Sequence, residues 1–255
     1  MGKTMPGEAN SEQRIPRDVY QVCTDKRTLS LAIRANIKLM QDNNPDYKFH
    51  LFDNEERLEL LANYNKELYK AYCKINPKYG AARADFFRYI WIYKNGGMYM
   101  DQKSTLTKPL RDVIRPTDKY ILSQWDNHGN KARYPLWGTE HNNVIPLKHG
   151  EFLQWCIISE PKHIFLENII KLVVKNIYEY TPEKNGVGRT SVFYVTGPVP
   201  YTHGILLALK DKNLYRLTNI TQNEGVLYSI FKNPHAHIGI VDRHYSSLNE
   251  PLIFS

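Results

Sequence analysis

AARADFFRYIWIYKNGGMYMDQKSTLTKPL, residues 81–110, joins a helix pattern to a strand pattern through two glycines. Ala81 to Lys94 reads as a helix, and Asn95-Gly96-Gly97 reads as its terminator, since glycine takes the left-handed backbone that closes helices. Phe86, Phe87, Ile90, Trp91 and Ile92 surround most of the cylinder, so the helix is expected to be largely buried. Asp85 and Arg88 stand three residues apart and meet on one face. Met98 to Asp101 then reads as a strand. Its two-residue period puts Met98 and Met100 on one side and Tyr99 and Asp101 on the other. If the extended backbone continues, Lys103 joins Tyr99 and Asp101. A carboxylate at the end of a buried strand costs free energy unless a partner faces it. The pattern therefore reads either as an internal Asp–Lys pair closing the strand or as a functional site.

Upstream, Val19 to Cys23 reads as a strand, and Leu29, Ile33, Ile37 and Met40 keep helical spacing. Asn43-Asn44-Pro45-Asp46 stops that helix, because proline cannot continue it. Tyr47 to Phe52 alternates as a second strand, and Asp53 or Asn54 is placed to cap a helix carrying Leu58, Leu61 and Leu68. Downstream, the expected elements are a strand at Tyr120 to Ser123 and a helix from about Pro161 to Tyr178. Further strands are expected near Val192 to Thr196 and Ile238 to Val241. Strand alternating with helix at this spacing predicts an α/β fold with parallel strands and crossover helices. Such sheets bind ligands beyond the carboxyl ends of their strands. The first 14 residues read as a tail, and 15–255 as a single domain.

The central stretch resembles the sugar-nucleotide-binding region of the family 32-type glycosyltransferases with the GT-A fold. That pattern runs A-x-x-x-D-x-x-R-Y-x-x-L-Y-x-x-G-G-x-Y-x-D-x-D. It is met at Ala81 or Ala82, Asp85, Arg88, Tyr89, Tyr93, Gly96, Gly97, Tyr99 and Asp101. Arg14-Ile15-Pro16 leading to Gln21, Asn44-Pro45-Asp46-Tyr47 before Leu51-Phe52-Asp53, and Thr196-Gly197-Pro198 are similar to further blocks of the same family. The resemblance implies a GT-A-like fold, a single mixed sheet flanked by helices. It implies a nucleotide-sugar-dependent glycosyltransferase, with a UDP-sugar favoured as donor, that acts on a hydroxyl acceptor (glycan, lipid or protein) and retains anomeric configuration. A catalytically weakened nucleotide-sugar-binding relative is the alternative. On individual residues it implies Asp85 at the donor-sugar hydroxyls and Arg88 at the sugar or diphosphate. Tyr99 and Gln21 would lie by the nucleotide, with Gly97 in the same binding element. Asp101 would be the first acid of the Asp-x-Asp element that helps hold Mn2+ or Mg2+, with His244 as a late-chain ligand.

Where that pattern has its second acid, this chain has Lys103. A protonated lysine is no metal ligand and repels a cation, whereas the departing diphosphate needs positive charge. Three readings stay open: the ammonium supplies part of that charge, Asp101 and a late-chain side chain still hold a metal, or the chain only binds. The resemblance therefore makes Asp101, Lys103 and Asp85 the catalytic candidates. Of the late histidines, His244 beside Tyr245 best fits the family's terminal element, while His235 and His237 could share one side of a strand. Trp125, Asp126, Asn127 and His128 form a polar–aromatic cluster after a strand that reads either as a pocket border or as an ordinary loop. Gly186-Val187-Gly188 lacks the third glycine of a phosphate loop.

Composition narrows the remaining choices. Of 255 residues 42% are hydrophobic and 24% charged, which excludes a disordered or fibrous chain. Lys and Arg number 34 against 26 Asp and Glu, a net charge of +8 that favours anionic partners. The basic residues are scattered without a nucleic-acid motif, so no nucleic-acid partner is expected. Cys23, Cys73 and Cys156 stand far apart, which speaks against a disulfide framework or a structural zinc site. No apolar run reaches the roughly 20 residues of a membrane span, and Met1 to Gln13 has no hydrophobic signal core. The expectation is a cytoplasmic protein with room for peripheral membrane contact, or a membrane-associated secretory one if the chain is a trimmed piece.

Overall fold

The computed structural model describes residues 13–231 and 245–254. Its strands are β1 (Asp18–Val22), β2 (Lys48–Phe52), β3 (Gly97–Met100), β4 (Thr105–Leu106), β5 (Tyr120–Leu122), β6 (Cys156–Ser159), β7 (Arg216–Leu217) and β8 (Val226–Leu227). The α-helices are α1 (Leu31–Asn43), α2 (Asn54–Tyr64), α3 (Lys66–Lys74), α4 (Gly80–Asn95), α5 (Leu110–Val113), α6 (Ile164–Tyr178), α7 (Pro182–Asn185), α8 (Gly188–Val195) and α9 (Pro198–Leu206). The main sheet has the order β2-β1-β3-β6-β5-β7, and β4 pairs with β8 in a separate ribbon. β1, β2 and β3 are parallel, and β6 runs antiparallel to both β3 and β5. β7 lies parallel to β5, so β6 alone reverses direction and the sheet is mixed.

Local chemistry accounts for the first half. Ser30 caps α1 by accepting from the Ile33 amide, and Asn44, bonded to Gln41, ends it. Asp53 starts α2 with a reciprocal capping box: its side chain accepts from the Glu56 amide while the Glu56 carboxylate accepts from the Asp53 amide. The helix expected to carry Leu58, Leu61 and Leu68 is two helices. Asn65 ends α2 and immediately caps α3, because its side chain captures the Glu67 and Leu68 amides.

The two sides of the sheet follow the strand period. Tyr20, Tyr99, Tyr120 and Ile157 pack under α2, α3, α4, α6, α8 and α9. Val19, Met98, Met100, Ile121 and Ile158 face α1, α5 and the 125–155 connection. α4 is buried nearly all round, as its apolar residues require. Gly96 turns the chain out of it at φ 69°. Gly97 follows at φ 94°, and a Cβ there would stand 2.6 Å from the Asp18 carbonyl oxygen, so only glycine lets β3 lie against β1.

Two further sequence expectations fail. Val192 to Thr196 forms the end of helix α8 and its cap, not a strand. The β-branched run is overruled by packing, since Val192 and Val195 turn inward on one helical side. The extended backbone also stops at Met100: the Ser104 amide donates to the Asp101 carbonyl at 2.9 Å, so Lys103 sits in a turn. The strand expected near 238–241 lies outside the described residues. β6, four buried residues, was not anticipated at all. The three cysteines are free.

Candidate active site

The carboxyl ends of β1, β2 and β3 open on one edge of the sheet. α4 runs back along β3, which brings its early turns over the strand's last residues. Arg88 is the hub of what meets there. Its Nη2 donates to Asp85 Oδ1, and its Nη1 donates to Asp101 Oδ1 at 3.3 Å and to the Gln154 carbonyl at 2.9 Å. Its guanidinium lies 4.7 Å from the Tyr99 ring centroid, a cation–π contact. The Tyr99 hydroxyl donates to Asp101 Oδ1 at 3.1 Å. Behind the pair, the Thr196 hydroxyl donates to Asp85 Oδ2 at 3.1 Å. Tyr89 in turn holds the Thr196 carbonyl at 2.9 Å. Gln21, at the end of β1, donates through Nε2 to the Asp101 carbonyl at 3.3 Å.

Electrostatics follow from burial. Arg88 is 5% exposed and Asp85 3%. Burial pushes the Asp85 carboxyl above its ordinary range, and Arg88 and Thr196 pull it back without cancelling the effect. Burial opposes the Arg88 charge too, but Tyr99, Asp85 and Asp101 raise its pKa above the ordinary value, so it is a permanent cation. Lys103 is lowered to about 8, by burial first, with Asp101 acting against that and Arg88 adding to it. Its ammonium donates to the Tyr228 hydroxyl at 2.7 Å. Tyr228 also meets Trp125 and Trp155, with ring centroids 5.1 and 5.3 Å away. Trp125 therefore borders the site, one ring removed from Lys103. Its neighbour Asp126 serves the loop, accepting from Gln222, Asn219 and the Arg133 amide. His128 stacks on His149 at 3.9 Å.

The sequence candidates thus divide. Asp85, Arg88, Tyr99, Asp101, Lys103 and Gln21 converge. Gly97 does not: it opens β3, four residues before Asp101 and about 13 Å away at the rise of a strand, and it serves the β1–β3 contact. Gly188, of the glycine-bearing loop, opens α8 and donates its amide to the Tyr79 hydroxyl at 2.9 Å. His235, His237 and His244 lie outside the described residues. Thr196, Gln154 and Tyr228 were missed as site residues. Thr196 carried a signal in its Thr-Gly-Pro block; the other two join from remote segments without one.

An Mn2+ or Mg2+ ion needs several oxygen ligands. Among the described residues no group of three or more His, Cys, Asp or Glu stands together. Asp101 Oδ1 already receives Arg88 and Tyr99, and where the motif has its second acid this chain has the Lys103 ammonium. The described donor set does not fit a divalent ion held on an Asp-x-Asp pair.

Residues 32–121 match the family described as glycosyltransferase sugar-binding region containing DXD motif. The initiation-specific alpha-1,6-mannosyltransferase of Candida albicans (strain SC5314) is 25% identical over 258 residues, covering 93% of this chain and 61% of that protein. The enzyme of the same name from Schizosaccharomyces pombe (strain 972) is 23% identical over 218 residues, covering 82% of this chain and 53% of its own. The chain thus spans between half and two thirds of these relatives. PaToxG glycosyltransferase superposes with a TM-score of 0.53 at 13% identity, over 77% of this chain and 70% of that one. The UDP-bound glycosyltransferase domain of the YGT toxin gives 0.52 at 10%, over 85% and 83%. The fold is that of GT-A glycosyltransferase domains. Over residues 32–121 the chain is thus similar to the DXD-containing glycosyltransferases, and over most of its length to the two mannosyltransferases.

Beside the site, Glu151 is buried and accepts from the Trp125 indole at 3.0 Å. Burial pushes its carboxyl up to about 7, with Trp125 acting against the rise. The folded protein therefore binds this proton more tightly than the unfolded chain, and stability falls as pH rises from about 4.5 through 7. Glu151→Gln keeps an acceptor for the indole and carries no charge. It is expected to raise stability at pH 8 by about 1–3 kcal/mol and to change little at pH 4. Urea unfolding at the two pH values checks this; equal stability gains at both would refute it.

Proposed function

We propose that the protein transfers a sugar from a nucleoside diphosphate sugar to a hydroxyl of an acceptor glycan, with retention of anomeric configuration. One observation carries this reading. Asp85, Arg88, Tyr99 and Asp101 form a linked, largely buried constellation at the carboxyl edge of a GT-A sheet, with Gln21 of the neighbouring strand against it. Asp85 has one donor on each oxygen and Asp101 has both of its donors on Oδ1, so each carboxylate keeps lone pairs for a sugar hydroxyl, Asp101 on Oδ2, and Arg88 offers fixed positive charge. In the transfer, the bond from the sugar C1 to the diphosphate oxygen breaks and a bond from the acceptor oxygen to C1 forms on the same face. The acceptor proton passes to the leaving phosphate. Asp85 and Asp101 are both held by Arg88, which favours a reaction driven by positioning over one with a carboxylate nucleophile.

The relatives' names make mannosyl the first sugar to test, and UDP-sugars are tested beside GDP-sugars. Lipid- and protein-borne hydroxyls enter as further acceptors. No helix among the described residues is long and apolar enough to cross a membrane. The expected result is nucleoside diphosphate release from one donor, accelerated by a sugar acceptor, together with a rise in melting temperature on adding that nucleotide. Binding without release would favour the weakened relative, for which the lysine in place of the motif's second acid speaks. Neither binding nor release across the panel would remove the reading.

A further inference from the structure

We propose that Lys103, clasped by Tyr228, is the resident cation facing the leaving diphosphate, and that it replaces a carboxylate together with its divalent ion. The assignment rests on the transferase reading above and names the charge on which that reaction runs.

Backbone structure fixes the clasp first. Lys103 lies in the turn that Ser104 closes on the Asp101 carbonyl, and its own carbonyl accepts from the Ile230 amide at 2.9 Å. The Ser104 hydroxyl donates to the Tyr228 carbonyl at 3.0 Å. The β4–β8 ribbon adjoins this crossing, pairing Thr105 with Leu227 and Leu106 with Val226. Tyr228 is thereby held opposite Lys103 by the main chain. The ammonium donates to its hydroxyl and stands 4.0 Å from its ring centroid. A flexible lysine is held in one place at 8% exposure, two residues from Asp101.

Charge supplies the second argument. Asp85 and Asp101 are opposed by Arg88 and Lys103, so these four groups are neutral as a set. An acid at position 103 would leave the set two charges more negative, which is the deficit one divalent ion makes good. The change from carboxylate to ammonium therefore supplies, within the chain, the charge that the related pattern draws from a metal. A fixed cation in a partly desolvated site stabilises developing negative charge without reorganising. Tyr228 is the positioning residue, and it works through Lys103.

The experiment measures donor turnover by the whole chain in EDTA and with added Mn2+. In parallel, Mn2+ binding is followed by electron paramagnetic resonance in the presence of UDP or GDP. The unaltered protein is expected to keep its turnover in EDTA and to bind no Mn2+ with the nucleotide. Lys103→Asp is expected to reverse both results, losing turnover in EDTA, regaining it with Mn2+, and binding the ion. Lys103→Met, close in size and uncharged, should fold and lose about 10²–10³-fold in kcat, with no rescue by Mn2+. Tyr228→Phe should lower kcat and leave nucleotide affinity unchanged. Complete loss of turnover in EDTA by the unaltered protein, or Mn2+ bound beside its nucleotide, would overturn the assignment. Absence of all nucleotide binding and turnover would instead strike the transferase reading beneath it.

Discussion

Arg88→Met is expected to cost about 3–5 kcal/mol of folding stability, the usual penalty for leaving a buried charge without its partner. Asp85 accepts from Arg88 and Thr196 and is buried with them, so losing the guanidinium leaves a carboxylate with one neutral donor. The Gln154 carbonyl and the Tyr99 ring lose their cation as well. Urea denaturation at pH 7 reads the effect as a lower midpoint with an unchanged slope. Part of the loss should return at acid pH, where Asp85 takes up a proton. The double variant Asp85→Leu/Arg88→Met, which removes both charges, should recover a good part of the stability at neutral pH. A single variant as stable as the parent would show that the pair does not hold α4 to the site.

Asp101→Asn separates chemistry from folding. The Asp101 side chain is 27% exposed, and its backbone ties run through the amide to Trp155 and through the carbonyl to Gln21 and Ser104. None of these needs the carboxylate, and the Asn Oδ1 can still accept from Arg88 and Tyr99, so the fold should persist and the melting temperature change little. Transfer should fall by about 10²–10³-fold, the cost of removing one fixed charged group from a preorganised site. Steady-state kinetics with the donor found in the nucleotide panel would measure it. Unaltered turnover would remove Asp101 from the reacting centre and leave it as the closing residue of a strand, the plainer reading of its sequence.

Much of the architecture was legible because it is local. The cap at Asp53, the Asn-Pro stop before β2 and the glycines after α4 act within a few residues, and each appears in the structure as the sequence implies. The meeting of Asp85 with Arg88 is likewise one helical turn. What stayed hidden depends on distant partners. Val192 to Val195 has the composition of a strand, and only its packing against the helical layer makes it a helix. β6 is a short apolar run whose length cannot distinguish a strand from a buried turn of helix. The sequence puts Lys103 beside Asp101 only if the extended backbone continues, and it does not. Lys103 reaches the site through a turn, and the central motif contains no signal for Tyr228, whose hydroxyl accepts from its ammonium.

The Lys103–Tyr228 clasp also sets the order in which the site can be completed. Its partners are 125 residues apart, and the Thr196–Asp85 bond spans 111, whereas Arg88 and Asp85 are three apart. Contacts of high sequence separation carry the largest loop-closure cost and form after local ones. On the ribosome, β1 to β3 emerge with Asp85, Arg88 and Asp101 already aboard, whereas the hydrogen bond from the ammonium to the Tyr228 hydroxyl waits for residue 228. The helical-turn pair Asp85–Arg88 can thus form in a nascent chain well before the long-range bonds that Thr196 and Tyr228 make to the same cluster.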